Sequence, residues 1–154
     1  DGKLRNALFA AIESARRGES TREFAAGIGC ARGVSGFVMH TAPVVIHAWL
    51  SFPCDGARAI ETVVRLGGDT DTTAALVGGL VGAGAGSGAI PREWLDGIVD
   101  RPITCSWTRE LAASAARGDR PGSPGPRFLL FPLRNLVFLV IVLAHGLRRL
   151  LPPY

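Results

Sequence analysis

The sequence contains few aromatic residues and only three cysteines, and both shortages narrow what the chain can be. Aromatic residues make up 7% of the 154 residues, whereas glycine alone contributes 20 residues. This abundance of small side chains favours closely packed helices. The three cysteines are odd in number, form no CxxC pair and are too widely spaced for a disulfide framework. We therefore interpret them as buried small side chains and expect a reducing, cytoplasmic compartment.

The sequence also lacks an export signal at its start and a basic face over most of its length. Residues 1–20 carry charges throughout, which no signal peptide does. The net charge is +4, but residues 1–116 carry a net −1 and residues 117–154 a net +5. A nucleic-acid-binding body would need clustered basic residues with interleaved aromatics. We therefore expect no nucleic-acid partner for residues 1–116.

No stretch of residues 1–116 has the pattern of a strand or a hairpin, so the sequence predicts an all-α body. Apolar residues recur there at helical spacing, and capping residues mark several helix starts. Ser20 and Glu23 fit a capping box. Asp55, Thr41 and Ser106 fit N-cap positions. The predicted helices cover residues 3–17, 37–52, 57–66, 71–86, 91–99 and 107–116, with a short one after the capping box.

The end of the chain has a different composition from the body. Residues 117–127 are rich in Pro, Gly, Ser and Arg without periodicity, which is typical of a linker. Residues 128–151 are predicted to form an apolar helical tail, and residues 128–147 approach the ~20 residues that span a bilayer. Arg134, Asn135 and Pro132 oppose a span, Arg134 because charge at mid-bilayer is costly. Two alternatives remain, a membrane-associated helix and a helix packed on the body or a partner.

Residues 67–73, with the sequence GGDTDTT, concentrate more oxygen ligands than any other stretch. We expect Asp69 to cap the next helix, with Asp71 and Thr72 in its first turn. Two carboxylates and a hydroxyl suit a hard cation such as Mg²⁺ or Mn²⁺. The positive end of a helix repels a cation, so further carboxylates must come from elsewhere. Spacing alone leaves plain N-capping as the alternative, and the preceding helical pattern argues against a strand-borne DxDxT phosphotransferase motif.

The helix predicted to follow this acidic cluster contains four glycines between residues 78 and 84. Each interior glycine costs ~1 kcal/mol relative to alanine. The presence of four of them therefore predicts that neighbouring backbones approach this helix closely.

A second stretch, GVSGF at residues 33–37, forms a Gly/Ser turn ahead of a predicted helix. Turns of this kind can present backbone N–H groups to phosphate, although an ordinary connection is the alternative. His40 and His47 follow in that helix, seven residues apart. No third nitrogen or thiolate stands at ligand spacing, so we interpret them as core or supporting histidines and not as a zinc site.

Taken in order, these stretches resemble the ADP-ribosylglycohydrolase family, of the dinitrogenase-reductase-activating glycohydrolase type. The resemblance is carried by GVSGFVMHTAP at residues 33–43, LGGDTDT at residues 66–72, the glycine-rich helix, and AIPREWL at residues 89–95. It covers residues 1–115, and its order and spacing match the C-terminal portion of that family.

The resemblance implies an orthogonal all-α helical bundle around a two-metal site that holds Mg²⁺ or Mn²⁺. There, water cleaves the glycosidic bond of ADP-ribose or of an ADP-ribosylated substrate. Asp69, Asp71 and Thr72 match the family's C-terminal metal ligands. The turn Ser35-Gly36-Phe37 is expected to line the substrate cleft.

The resemblance also leaves part of the site unaccounted for. Family members are considerably longer, and their N-terminal half supplies a Thr-Asp-Asp ligand set and the catalytic acidic residue. No Asp-Asp pair occurs in this sequence, which starts at Asp1 without a methionine. We expect either an upstream half in a longer protein, or a truncated paralogue that binds ADP-ribose without catalysis or is tethered to a membrane. In the first case the catalytic residues lie outside this chain.

Overall fold

The computed structural model describes residues 2–98, 103–119 and 130–150, and eight α-helices occur in these ranges. No strand occurs in them, so the prediction of an all-α fold is confirmed. The predicted linker, residues 117–127, lies mostly outside the described residues. The helices are α1 Gly2–Arg16, α2 Thr21–Gly27, α3 Val38–Ser51, α4 Gly56–Val64, α5 Thr70–Ala85, α6 Arg92–Asp96, α7 Cys105–Ala116 and α8 Leu130–Leu150, with a 3-10 turn at Ser87–Ala89.

The chain divides into two compact units, Asp1–Trp94 and Leu95–Tyr154. In the first unit α3 packs against α1, α2, α4 and α5, and α5 also packs along α4. The buried apolar core consists mainly of valine and alanine, and Phe24 is its one aromatic member among the described residues. The scarcity of aromatic residues in the sequence is therefore matched by closely packed small side chains. No described residue of the second unit is buried.

Polar side chains cap the starts of α2 and α4 as predicted. The Glu23 amide donates to the Ser20 hydroxyl at 3.2 Å, and the Ser20 amide donates to the Glu23 carboxylate at 3.0 Å. Hydrogen bonds from the Ser20 hydroxyl and amide lower the pKa of Glu23. The Asp55 carboxylate accepts from the Arg58 amide at 3.0 Å. Both capping predictions are confirmed.

Two other predicted caps are wrong. Helix α3 begins at Val38 with Phe37 at its N-cap position. Thr41 therefore lies inside the first turn and cannot be the N-cap. The Thr41 hydroxyl instead donates to the Ser35 carbonyl at 2.8 Å and thereby holds the preceding turn. At α7 the hydroxyl of Thr104, and not that of Ser106, accepts from a first-turn amide. In both cases several hydroxyl residues stand near the helix start, and spacing alone does not choose between them.

His47 is fully buried between α1, α2 and α3, as expected for a core histidine. The Ser14 hydroxyl donates to Glu19, so its oxygen accepts from His47 Nε2 at 3.1 Å, while Thr21 donates to Nδ1 at 3.0 Å. The ring stacks on Phe24 with 4.7 Å between centroids. Burial lowers the pKa of His47 and outweighs the raising effect of Glu19, which keeps the imidazole neutral in the core.

The glycines of α5 approach their neighbours less closely than the sequence predicts. A Cβ on Gly78 would lie 3.4 Å from the side chain of Ile60, which is ordinary contact. A Cβ on Gly79 or Gly82 would meet nothing within 4 Å. The expectation of close packing is therefore wrong for these two positions, because no neighbouring atom lies close to them.

Replacing Gly79 by alanine is expected to stabilise the protein by about 1 kcal/mol, since the site is open and helical. The measurement is the urea midpoint of unfolding, followed by circular dichroism. Gly86→Ala is the matched control, because Gly86 also has open space but a φ of +80°. Alanine there is expected to destabilise. A lower midpoint for Gly79→Ala would contradict the prediction.

Candidate metal and ligand site

The two stretches that the sequence singles out lie side by side in the structure. Val34 and Gly68 form an isolated parallel bridge between the Gly/Ser turn and the acidic cluster. The Val34 amide donates to the Gly67 carbonyl at 3.0 Å, and the Asp69 amide donates to the Val34 carbonyl at 2.7 Å. Val34 is fully buried, so these bonds are shielded from water. The bridge joins the predicted ligand turn to the predicted metal ligands.

Two glycines allow the bridge to form. Gly33 has a φ of +128° and Gly68 a φ of +83°, both in the region that favours glycine. A Cβ on Gly68 would lie 2.2 Å from the Val34 carbonyl oxygen, and a Cβ on Gly33 would lie 2.8 Å from the Gly68 amide nitrogen. The backbones are therefore closer together than any side chain permits.

The turn and the cluster also meet at the predicted site residues themselves. A Cβ built on Gly36 would lie 2.7 Å from Asp69 Oδ2, so the Gly36 backbone borders the carboxylate directly. Any group held by the turn would therefore stand next to any ion held by Asp69. The sequence predicted these as two separate features, and the structure places them next to each other.

The carboxyl groups of Asp69 and Asp71 interact at the start of α5. A hydrogen bond with the Asp69 carboxyl is the largest of the interactions that lower the pKa of Asp71, followed by the Asp71 and Thr72 amides. The Asp69 side chain therefore favours the charged form of Asp71. Asp71 and Thr72 are both exposed. The three predicted metal ligands are grouped at one open helix end.

Asp69 stands at the N-cap position of α5, but its side chain makes no capping hydrogen bond. The prediction that its carboxylate accepts first-turn amides is therefore wrong. The carboxylate is instead directed to Asp71 and Gly36. A carboxylate that does not cap its own helix keeps its oxygens available for a ligand, which weakens the plain capping alternative.

Side chains behind the turn fix its conformation. His40 Nδ1 lies 2.9 Å from the Ser35 hydroxyl, and that hydroxyl also accepts from the Phe37 amide at 3.4 Å. The Phe37 ring stands edge-on to His40, with 5.6 Å between centroids. Phe37 is nevertheless 59% exposed, so most of its ring can meet a ligand. His40 therefore supports the turn. Its sequence position predicted a core or supporting histidine but not this contact with Ser35.

The described residues supply only part of a metal coordination shell. Within residues 2–98, 103–119 and 130–150, no group of three or more histidine, cysteine, aspartate and glutamate side chains could hold an ion. The donor set present, two carboxylates and a hydroxyl, matches the chemistry of Mg²⁺ or Mn²⁺ but fills less than the usual six positions. The residues fit one side of such an ion.

A separate cavity of about 550 Å³ opens between α1, α2, α3 and α4. Arg22 and Arg65 contribute to its lining, and Arg22 donates to the Arg65 carbonyl at 3.1 Å. None of the predicted metal or substrate residues lines this cavity. Two of its lining residues, Arg65 and Leu66, directly precede the GGDTDTT stretch in the sequence.

The fold and the site together define an all-α protein with an exposed, oxygen-rich site at the start of a helix. Comparison with protein families gives its membership: the chain belongs to the ADP-ribosylglycohydrolase family, whose sequence model matches residues 2–124. Members of this family act on ADP-ribosylated substrates and generally depend on a metal. No curated protein and no solved structure matches the chain.

Proposed function

We propose that the protein hydrolyses an ADP-ribosyl glycosidic bond at a binuclear Mg²⁺ or Mn²⁺ site, and that this chain carries one half of that site. The observation that carries the proposal is the approach of the Gly36 backbone to the Asp69 carboxylate, with space for no side chain between them. An ion-binding carboxylate beside a ligand turn is the arrangement needed to fix a diol next to a metal.

Each predicted site residue has a distinct role in this proposal. Asp69, Asp71 and Thr72 would supply oxygen ligands on one side of the two metal ions. The turn Ser35-Gly36-Phe37 binds the substrate through its backbone and the exposed Phe37 ring. His40 is a positioning residue, because it holds the Ser35 hydroxyl from behind the turn.

The chemistry follows from charge placement. When bound, the divalent ions would orient the ribose hydroxyls and stabilise charge as water attacks the anomeric carbon. Asp71 is exposed and Asp69 is half-buried beside it, so a substrate can reach the cluster from solvent. We assign no acid or base within this chain, and we propose that the catalytic acidic residue and the remaining ligands come from outside the described residues.

The proposal is tested by assaying ADP-ribose release from ADP-ribosylated arginine, ADP-ribosylated serine and O-acetyl-ADP-ribose by the full-length protein. Chelation is expected to reduce the rate by on the order of 100-fold or more, because metal stabilisation contributes several kcal/mol to such reactions. Added Mg²⁺ or Mn²⁺ should restore it. Release that is unaffected by chelation would contradict the metal-dependent mechanism.

The alternative is a non-catalytic protein that binds ADP-ribose, and the incomplete ligand set of the described residues favours it. Titration of ADP-ribose, followed by calorimetry, separates the two. Binding without release of ADP-ribose from any of the three substrates supports the alternative. Upstream acidic residues in the source gene would support the enzyme.

We also propose a cytoplasmic location for the first unit. All three cysteines are free of disulfides, which is expected in a reducing compartment. Burial raises the pKa of the Cys30 thiol, so this cysteine is a poor nucleophile and behaves as a core side chain.

A further inference from the structure

Helix α8 is long, strongly apolar and fully exposed. It spans 21 residues, its most apolar 18-residue segment has a mean hydropathy of 1.9, and none of that segment is buried in the structure. A core helix of a soluble protein would be mostly buried. An N-terminal signal sequence is ruled out by position, since α8 begins at Leu130.

The apolar surface of α8 runs around the whole helix. Residues 136–143 are eight consecutive large hydrophobic residues, each between 48% and 66% exposed. Successive residues are about 100° apart on a helix, so these eight point in every direction. An interfacial amphipathic helix needs a polar face along its length, and this segment has none. We propose that α8 inserts across a lipid bilayer.

The length of α8 and the charge at its end fit a lipid bilayer. The 18 residues 130–147, which precede the arginines of the last turn, give about 27 Å at ~1.5 Å each, close to the ~30 Å hydrocarbon core of a bilayer. Arg148 and Arg149 lie exposed in the last turn, where arginines meet anionic headgroups. The charge and the length therefore both match a membrane.

Two of the three residues that oppose a span, Pro132 and Arg134, lie where a membrane helix tolerates them. Pro132 is in the first turn of α8, where amides have no partner within the helix, so its missing N–H breaks no bond. Arg134 is six residues from the helix centre, about 9 Å along the axis. An arginine at that depth reaches the interface with its long side chain.

Lipid suits the surface of α8 better than a groove on a protein partner does. A groove covers one face of a helix and leaves the other face in water. The middle of α8 has no face suited to water, because every side chain in residues 136–143 is apolar. Lipid surrounds a helix on all sides and covers the whole circumference.

The test uses the full chain with an epitope tag after Tyr154, synthesised in a cell-free system with vesicles of neutral phosphatidylcholine. We expect the protein to float with the vesicles through high salt and alkaline carbonate, whereas aggregated protein sediments. Protease added outside should digest the first unit and leave the tag protected inside the vesicle. This result does not depend on the proposed hydrolase activity, and no activity is measured.

The matched variants are Val140→Arg and Val140→Leu at the centre of the helix. Arginine there is expected to reduce the protected fraction of the tag at least tenfold, and leucine should leave it unchanged. Flotation without protection would mean that α8 lies on the surface, which overturns the proposal. Failure to float, or retention only by a co-purifying protein partner, would overturn it too.

Discussion

Replacing Asp71 by asparagine is expected to lower metal-dependent ADP-ribose release by the full-length protein by on the order of 100-fold or more. Asp69→Asn should have an effect of the same size. An amide keeps the shape of the carboxylate but loses the charge that a divalent ion needs. The two carboxyl groups interact at the start of α5, so losing either one removes half of the negative charge grouped there.

The control for these variants is Asp55→Asn. Asp55 caps α4 through its hydrogen bond from the Arg58 amide, and asparagine caps a helix about as well as aspartate. The rate of this variant is expected to equal that of the original protein. Rates should be measured over a range of Mn²⁺ concentrations, which separates weaker ion binding from slower chemistry. Unchanged rates for Asp69→Asn and Asp71→Asn would overturn the assignment of the metal ligands.

Gly68→Ala is expected to be the most destabilising single substitution in the site, at roughly 3 kcal/mol or more. Two effects act together there. The φ of +83° strains any side chain, and the new Cβ would lie 2.2 Å from the Val34 carbonyl oxygen. The bridge must open, which separates the ligand turn from Asp69. Thermal unfolding of the full chain in detergent, followed by circular dichroism, measures the loss.

Gly67→Ala separates the two effects. Gly67 has a φ of +79°, but a Cβ there would meet nothing within 4 Å. Its cost is therefore limited to backbone strain, about 1–2 kcal/mol. Equal losses of stability for the two variants would mean that the close approach of the Gly/Ser turn to Gly68 does not add to the cost of Gly68→Ala. A larger loss for Gly68→Ala, together with reduced ligand binding, is the expected outcome.

The helices and two of their caps could be predicted from the sequence because these features depend on nearby residues. The box formed by Ser20 and Glu23 needs only a three-residue spacing, and Asp55 needs only the helix that follows it. Thr41 was misassigned because its hydroxyl bonds to the Ser35 carbonyl, a contact made only once the turn has folded. The glycines of α5 were misjudged because spacing does not say which side of a helix faces a neighbour.

The sequence by itself determined that the chain is helical, that its oxygen ligands are concentrated in residues 69–73, and that residues 128–147 are unusually apolar. Composition and spacing carry that information locally. Only the tertiary structure decided that Gly36 borders Asp69, because a parallel bridge between residues 34 and 68 depends on how α3, α4 and α5 pack. In the same structure Asp69 lacks its expected capping bond and interacts with Asp71, which no local pattern in the sequence predicted.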